Sequence, residues 1–162
     1  MEIKSTIVNK EGQAFDVIYR ESDPLKDIKG KILQGVHAYC FYKDHFVVVY
    51  TESKKYWTPP GGGIEEGESY EEATIREVLE ETNMKVLELE FIGYQDVYES
   101  ERISRQTRSF CLVEPIGKFV SDPDGDITKI KLIKPYEYKQ YFDWGIIGDR
   151  IMNRALEIKG AF

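Results

Sequence analysis

The sequence predicts an α/β (α+β) sandwich, a mixed β-sheet held between helices. Two observations carry this. Short apolar and β-branched runs recur along the 162 residues as strands. Two helical segments accompany them, one inside the series of strands and one at its end, which is the pattern of a sheet covered on both faces. The length suits one domain spanning residues 1–162, with residues 1–30 as an N-terminal strand extension.

Taken in order, Thr6-Ile7-Val8 and Phe15 to Tyr19 predict two short strands around a turn at Lys10 to Gln13. The polar stretch Glu21 to Lys31 holds Pro24 and Gly30 and predicts a loop. Val36 to Tyr42 and His45 to Thr51 predict strands joined by a tight turn at Lys43-Asp44. Tyr56-Trp57 leads into Pro59-Pro60 and three glycines. Ser69 to Thr82 predicts a helix, with capping chemistry in Gly67-Glu68-Ser69, Glu71 and Glu72 suited to its first turn, and Asn83 as a left-handed stop. Val86 to Val97 and Arg108 to Glu114 predict long strands flanking a charged loop, Tyr98 to Gln106. Ser121 to Asp126 predicts a turn, Thr128 to Ile133 a strand, and Asp143 to Lys159 a final amphipathic helix.

Composition excludes several classes. The longest apolar run, Phe46 to Tyr50, is far too short for a membrane span, and Met1 to Lys4 does not read as a signal peptide. Cys40 and Cys111 form no disulfide framework and read as buried residues of a reducing, cytoplasmic protein. The net charge of −7 is concentrated. Glu65 to Glu81 contains eight Glu and one Arg, so the other residues balance at 21 acids and 21 bases. Such a field disfavours direct phosphate or nucleic-acid polymer binding by that face and favours a metal or a basic partner.

The acids are badly placed for a bare helix. Glu77, Glu80 and Glu81 lie near its C-terminus, where each acid costs roughly 0.3–1 kcal/mol, and they repel one another at i,i+3 and i,i+4 spacing. At about 100° per residue they share a face within roughly 100° of arc, with Ala73 among them, while Ile75, Val78 and Leu79 form an apolar side expected to pack on the sheet. Two or three carboxylates plus water are the ligands that Mg²⁺ or Mn²⁺ prefers, with phosphates completing the shell. The glycines let backbone approach a ligand closely, and a Gly61 or Gly62 carbonyl could add a metal oxygen. Arg76 could pair with Glu72 or orient a neighbouring Glu.

Gly62, Glu68, Arg76-Glu77-Val78, Glu80-Glu81 and Met84, with the lead-in Trp57 to Gly63, together resemble the Nudix box. The match covers Trp57 to Met84; Asn83 replaces the usual Gly and tolerates the same left-handed cap. The resemblance implies one Nudix hydrolase domain of Nudix fold. It implies metal-dependent hydrolysis of a pyrophosphate bond in a nucleoside diphosphate linked to a further group X, such as a nucleoside triphosphate, ADP-ribose or a nucleotide sugar. It implies Glu77 and Glu81 as metal ligands, Glu80 as ligand or part of the base machinery, Gly61 as a carbonyl ligand, and Glu68 and Arg76 as supporting residues of the catalytic set. Mg²⁺ or Mn²⁺ is the implied cofactor and a nucleotide-type small molecule the implied partner. The N-terminal strands could also pair across a homodimer. The competing readings are a catalytically silent Nudix-like binding module and an acidic helix that docks a basic partner.

The resemblance also implies an assisting acid outside the box, for which Asp126, Glu114, Glu99 and Glu101 are the candidates. The Asp122-Asp124-Asp126 spacing fails as an EF-hand loop because Gly125 stands at its fourth position. Packing is the expected role of Trp57 and of Tyr42, Tyr50, Tyr94 and Tyr98. A solvated loop is expected for Arg102, Arg105 and Arg108, and surface or core positions for His37 and His45.

Overall fold

The computed structural model describes residues 1–120, 122–123 and 125–162. The turn expected over Ser121 to Asp126 includes Ser121 and Asp124 and to that extent lies outside the described residues. The strands are β1 (Glu2–Val8), β2 (Ala14–Arg20), β3 (Ile32–Tyr42), β4 (His45–Thr51), β5 (Tyr56–Thr58), β6 (Gly61–Gly63), β7 (Met84–Tyr98), β8 (Ile103–Pro115) and β9 (Ile127–Ile133). The helices are α1 (Tyr70–Thr82) and α2 (Gly145–Gly160), preceded by a 3-10 turn at Pro135–Gln140. The sheet runs β1-β2-β7-β8-β3-β4-β5, with β6 on β3 and β9 on β4. The β3–β8 pair is parallel and the other pairs are antiparallel, so the sheet is mixed as expected.

Strand alternation divides the core into two layers. Tyr39, Phe41, Phe46, Val48 and Phe110 cluster with Ile147, Ile151 and Met152 of α2. Their neighbours Ala38, Cys40, Val47, Cys111 and Val113 cluster with Val78 of α1. The helices therefore cover opposite faces. The N-terminal hairpin is part of the sheet: β2 pairs with β7, and Val17 and Tyr19 sit in the α2-side core. Among the described residues no helix is long and apolar enough to cross a membrane.

Three expectations need correction. The charged loop is shorter than Tyr98 to Gln106, because β7 and β8 stay paired up to Tyr98 and Ile103. Arg105 consequently lies in a strand and is fully buried against Asp96, with contacts of 2.8 and 3.0 Å. Its other nitrogen donates to the Pro24 and Lys26 carbonyls, which fastens the Glu21 to Lys31 loop to the sheet. Arg108 is also buried in β8, and only Arg102 stays in the loop, paired with Glu99. Finally, α1 packs through Ala73, Thr74, Glu77, Val78 and Thr82. Ile75 and Leu79 are 46% and 45% exposed, since turning Glu77 inward turns them out.

Candidate functional site

The site begins where β3 and β4 part. They pair only at Phe41–Phe46 and Tyr42–His45. Beyond that point the glycine strand β6 replaces β4 beside β3, through Gly35–Gly63, Val36–Gly62 and His37–Gly61. Close approach requires these glycines. A Cβ on Gly62 would stand 2.5 Å from the Glu77 carboxylate, and one on Gly61 would overlap the Val36 carbonyl and the His37 ring.

Helix α1 is fixed at both ends by local chemistry. Ser69 Oγ accepts from the Glu72 N–H at 3.1 Å, and Glu72 accepts from the Ser69 N–H at 3.0 Å, a reciprocal capping box. Glu72 is thereby engaged in capping and does not pair with Arg76. At the other end Asn83 adopts φ 56° and ψ 38° and its N–H donates to the Leu79 carbonyl, the expected left-handed cap. With both ends set, the three acids keep a fixed place relative to β6.

Arg76 organises them. Its guanidinium donates to Glu68 (2.8 and 2.9 Å), Glu77 (2.8 Å), Glu80 (3.2 Å) and the Gly63 carbonyl (2.9 Å). These bonds hold the Glu68 carboxyl down at about 2. Glu81 points the other way and accepts from the Gly61 N–H at 2.9 Å. Burial pushes its carboxyl up to about 8; the charges of Glu77, Asp122 and Asp126 act in the same direction, against the Gly61 hydrogen bond. Burying a carboxylate among three others leaves its charge uncompensated.

A cleft of about 320 Å³ opens beside β6, lined by Glu81, Asp126, all three β6 glycines, His37, Lys54 and Trp144. Of the four outside acids considered, Asp126 is the one that lines this cleft, and its carboxylate accepts from the Ser53 N–H at 2.9 Å. Glu114 pairs with Lys85 on the far end of β8, Glu99 is held by Arg102 and Ser104, and Glu101 is exposed. Trp57 packs between Tyr50 and Tyr141, Tyr94 lies under the Arg105 guanidinium, and His45 is exposed at a turn.

Sequence reasoning did not foresee the wall formed by Gln34, His37, Gln106 and Trp144. One signal was available: Gly35 inside a strand marks a close backbone approach, and a Cβ there would meet the Gly62 carbonyl at 3.2 Å.

Among the described residues no three acidic, imidazole or thiol groups converge as a ready-made metal cage. The donor chemistry nevertheless fits a hard divalent cation. Two carboxylates, Glu77 and Glu81, flank the glycine backbone with Glu80 nearby, the Glu81 charge lacks compensation, and the open cleft leaves room for water and phosphate oxygens.

Comparison with known proteins agrees with this geometry. The profile of the NUDIX domain matches residues 33–153. The crystal structure of the Bacillus subtilis pyrophosphohydrolase BsRppH superimposes with a TM-score of 0.72 at 21% identity, covering 96% of this chain and 98% of that one. The Escherichia coli ORF135 protein gives 0.62 at 17% identity, covering 82% and 94%. A Caenorhabditis elegans Ap4A hydrolase gives 0.55 at 18% identity, covering 78% and 98%. These likenesses show the fold. A search of curated proteins returns no significant match.

Proposed function

The chain belongs to the NUDIX family, and on that premise we propose that it hydrolyses a pyrophosphate bond in a nucleoside diphosphate linked to a further group, with Mg²⁺ or Mn²⁺ bound by the α1 acids. One observation carries the reading: Glu81 and Asp126 line one glycine-walled cleft, with the Glu77 carboxylate packed against Gly62 of that wall and joined to Glu80 through Arg76. The names of two structural neighbours, a pyrophosphohydrolase and an Ap4A hydrolase, support the bond type.

Glu77 and Glu81 would hold the cation, with the Gly61 carbonyl as a further oxygen and Glu80 as ligand or proton acceptor. When bound, the cation would polarise the phosphoryl oxygens and offset their charge. The protein's own part is placement. Arg76 holds Glu77 and Glu80 in fixed rotamers, Glu68 anchors Arg76, and Gly62 leaves room for Glu77 against the backbone. Glu80, about a quarter exposed, faces solvent and could take a proton from attacking water. Two buried free cysteines support a reducing, cytoplasmic setting.

The test is a panel of nucleoside triphosphates, nucleotide sugars, ADP-ribose and dinucleoside polyphosphates, each with Mg²⁺ or Mn²⁺ and with chelator, scored by product identity. Metal-dependent release of a nucleotide product from at least one compound is expected. Failure of every compound with both metals would refute the reading.

A further inference from the structure

Arg108 has the surroundings of a ligand-binding residue. It is 3% exposed. Among the described residues no carboxylate pairs with it, and its Nε has no hydrogen-bond partner. Of the five guanidinium donors, one meets the Thr107 carbonyl at 3.0 Å and another the Gln106 amide oxygen at 3.3 Å. Buried donors left unmade are costly in a native protein, and each calls for a reason.

The neighbourhood supplies one. Arg108 lines a second cleft of about 510 Å³ that shares Tyr56, His37, Gln106 and Trp144 with the cleft over the acids. That volume suits a nucleoside-sized group. Register fixes the separation. Gly61, His37 and Arg108 are direct neighbours on β6, β3 and β8, so Gly61 and Arg108 stand two strand spacings apart, about 10 Å. A nucleotide whose phosphates lie over the glycines can therefore extend its other end toward Arg108.

The chemistry selects that end. Arg108 lies over the Trp144 ring, 5.2 Å from its centroid, so the ring face already offsets part of the charge. A neutral group with two adjacent acceptors can then satisfy the remaining fork. The Gln95 amide donates to Gln106, and Gln106 to Gln34, each at 3.1 Å, which forms a row of amides running from this cleft to the one that Glu81 lines. Gln95, whose own carbonyl can accept, lines the same cleft. Tyr56, 46% exposed, stands at the rim shared by both clefts, free to cover a planar ring.

Resting on the pyrophosphohydrolase reading, we propose that Arg108 selects the nucleobase of the substrate, accepting guanine through its O6 and N7 acceptors and rejecting adenine. Adenine presents an N6 amino donor where guanine presents O6, so the guanidinium would meet a donor there. An anion alone would satisfy the charge but would leave the cleft mostly empty and the amide row without a role.

The test uses GMP and AMP, which have no pyrophosphate bond, titrated without metal by calorimetry or by tryptophan fluorescence. Wild type is expected to bind GMP about tenfold or more tighter than AMP. Arg108→Lys, which keeps the charge but lacks the fork, and Arg108→Gln should both reduce that preference to about twofold or less. Equal affinity of wild type for GMP and AMP, or binding of neither, overturns the proposal. So does a preference retained in Arg108→Lys. Should Arg108→Gln fail to fold, Arg108→Lys and the wild-type comparison still decide. Arg108-dependent competition by inorganic phosphate would overturn it in favour of an anion site. Base preference without any hydrolysis would condemn the reading of function and leave this inference standing.

Discussion

Replacing Glu81 by Gln separates catalysis from stability. Glu81 sits among Glu77, Asp122 and Asp126, with its carboxyl raised from 4.5 to about 8. A raised folded-state value means that the fold is fully supported below about 4.5 and loses support as pH rises toward 8. One pH unit is worth 1.36 kcal/mol, so the shift bounds the penalty at roughly 5 kcal/mol. Glu81 keeps the Gly61 hydrogen bond and is only partly shielded from water, so about 2 kcal/mol is the working figure at pH 8. Gln retains an acceptor for Gly61 and removes the charge. Metal-free Glu81→Gln should therefore match wild type at pH 4.5 and exceed it at pH 8, by roughly 4–8 °C in Tm for a chain of this size. Mg²⁺ should stabilise wild type at pH 8 and leave the variant nearly unchanged, while the variant loses metal-dependent turnover. Thermal unfolding at both pH values with and without Mg²⁺ provides the measurement. A variant less stable than wild type at pH 8, or a gain equal at both pH values, would refute the reasoning.

Two further outcomes are expected. Gly62→Ala places a Cβ 2.5 Å from the Glu77 carboxylate, and steady-state kinetics should show roughly a hundredfold loss in kcat/KM from the displaced ligand, with far-UV circular dichroism unchanged. Arg105→Ala removes the bidentate partner of buried Asp96, leaving Lys31 at 3.1 Å and Arg20 at 3.7 Å, and should destabilise by about 3 kcal/mol. Because Arg105 and Lys31 hold the Asp96 carboxyl below its ordinary 3.8, wild type keeps this contribution above that pH and loses it as pH falls further. Arg105→Ala, which keeps only the Lys31 share, should show a shallower acid limb in a plot of unfolding free energy against pH.

Much of this was legible in the sequence because its signals are local. Ser69 and Asn83 mark the ends of α1 through caps that need no tertiary partner. Strand alternation in Val36 to Tyr42 and His45 to Thr51 assigns successive residues to the two core layers. Other features depend on distant partners. β5 and β6 are three residues each and exist only through pairing with β4 and β3. Ser104 to Gln106 reads as the end of a charged loop, yet Arg105 enters the core because Asp96 faces it across the β7–β8 pair. Asp96, an acid near the end of the Val86 to Val97 strand, was the clue. The inward turn of Glu77 shifted the packing face of α1 away from Ile75 and Leu79 while keeping Val78, since helical periodicity alone treats a buried acid as a surface residue.

The most direct test of the central claim is hydrolysis in ¹⁸O-labelled water with Mg²⁺, with products resolved by mass spectrometry. One cleaved pyrophosphate bond is expected, with a single label in one phosphorylated product, abolished by chelator and by Glu81→Gln. Turnover that persists in chelator, or label in no phosphorylated product, would contradict the account.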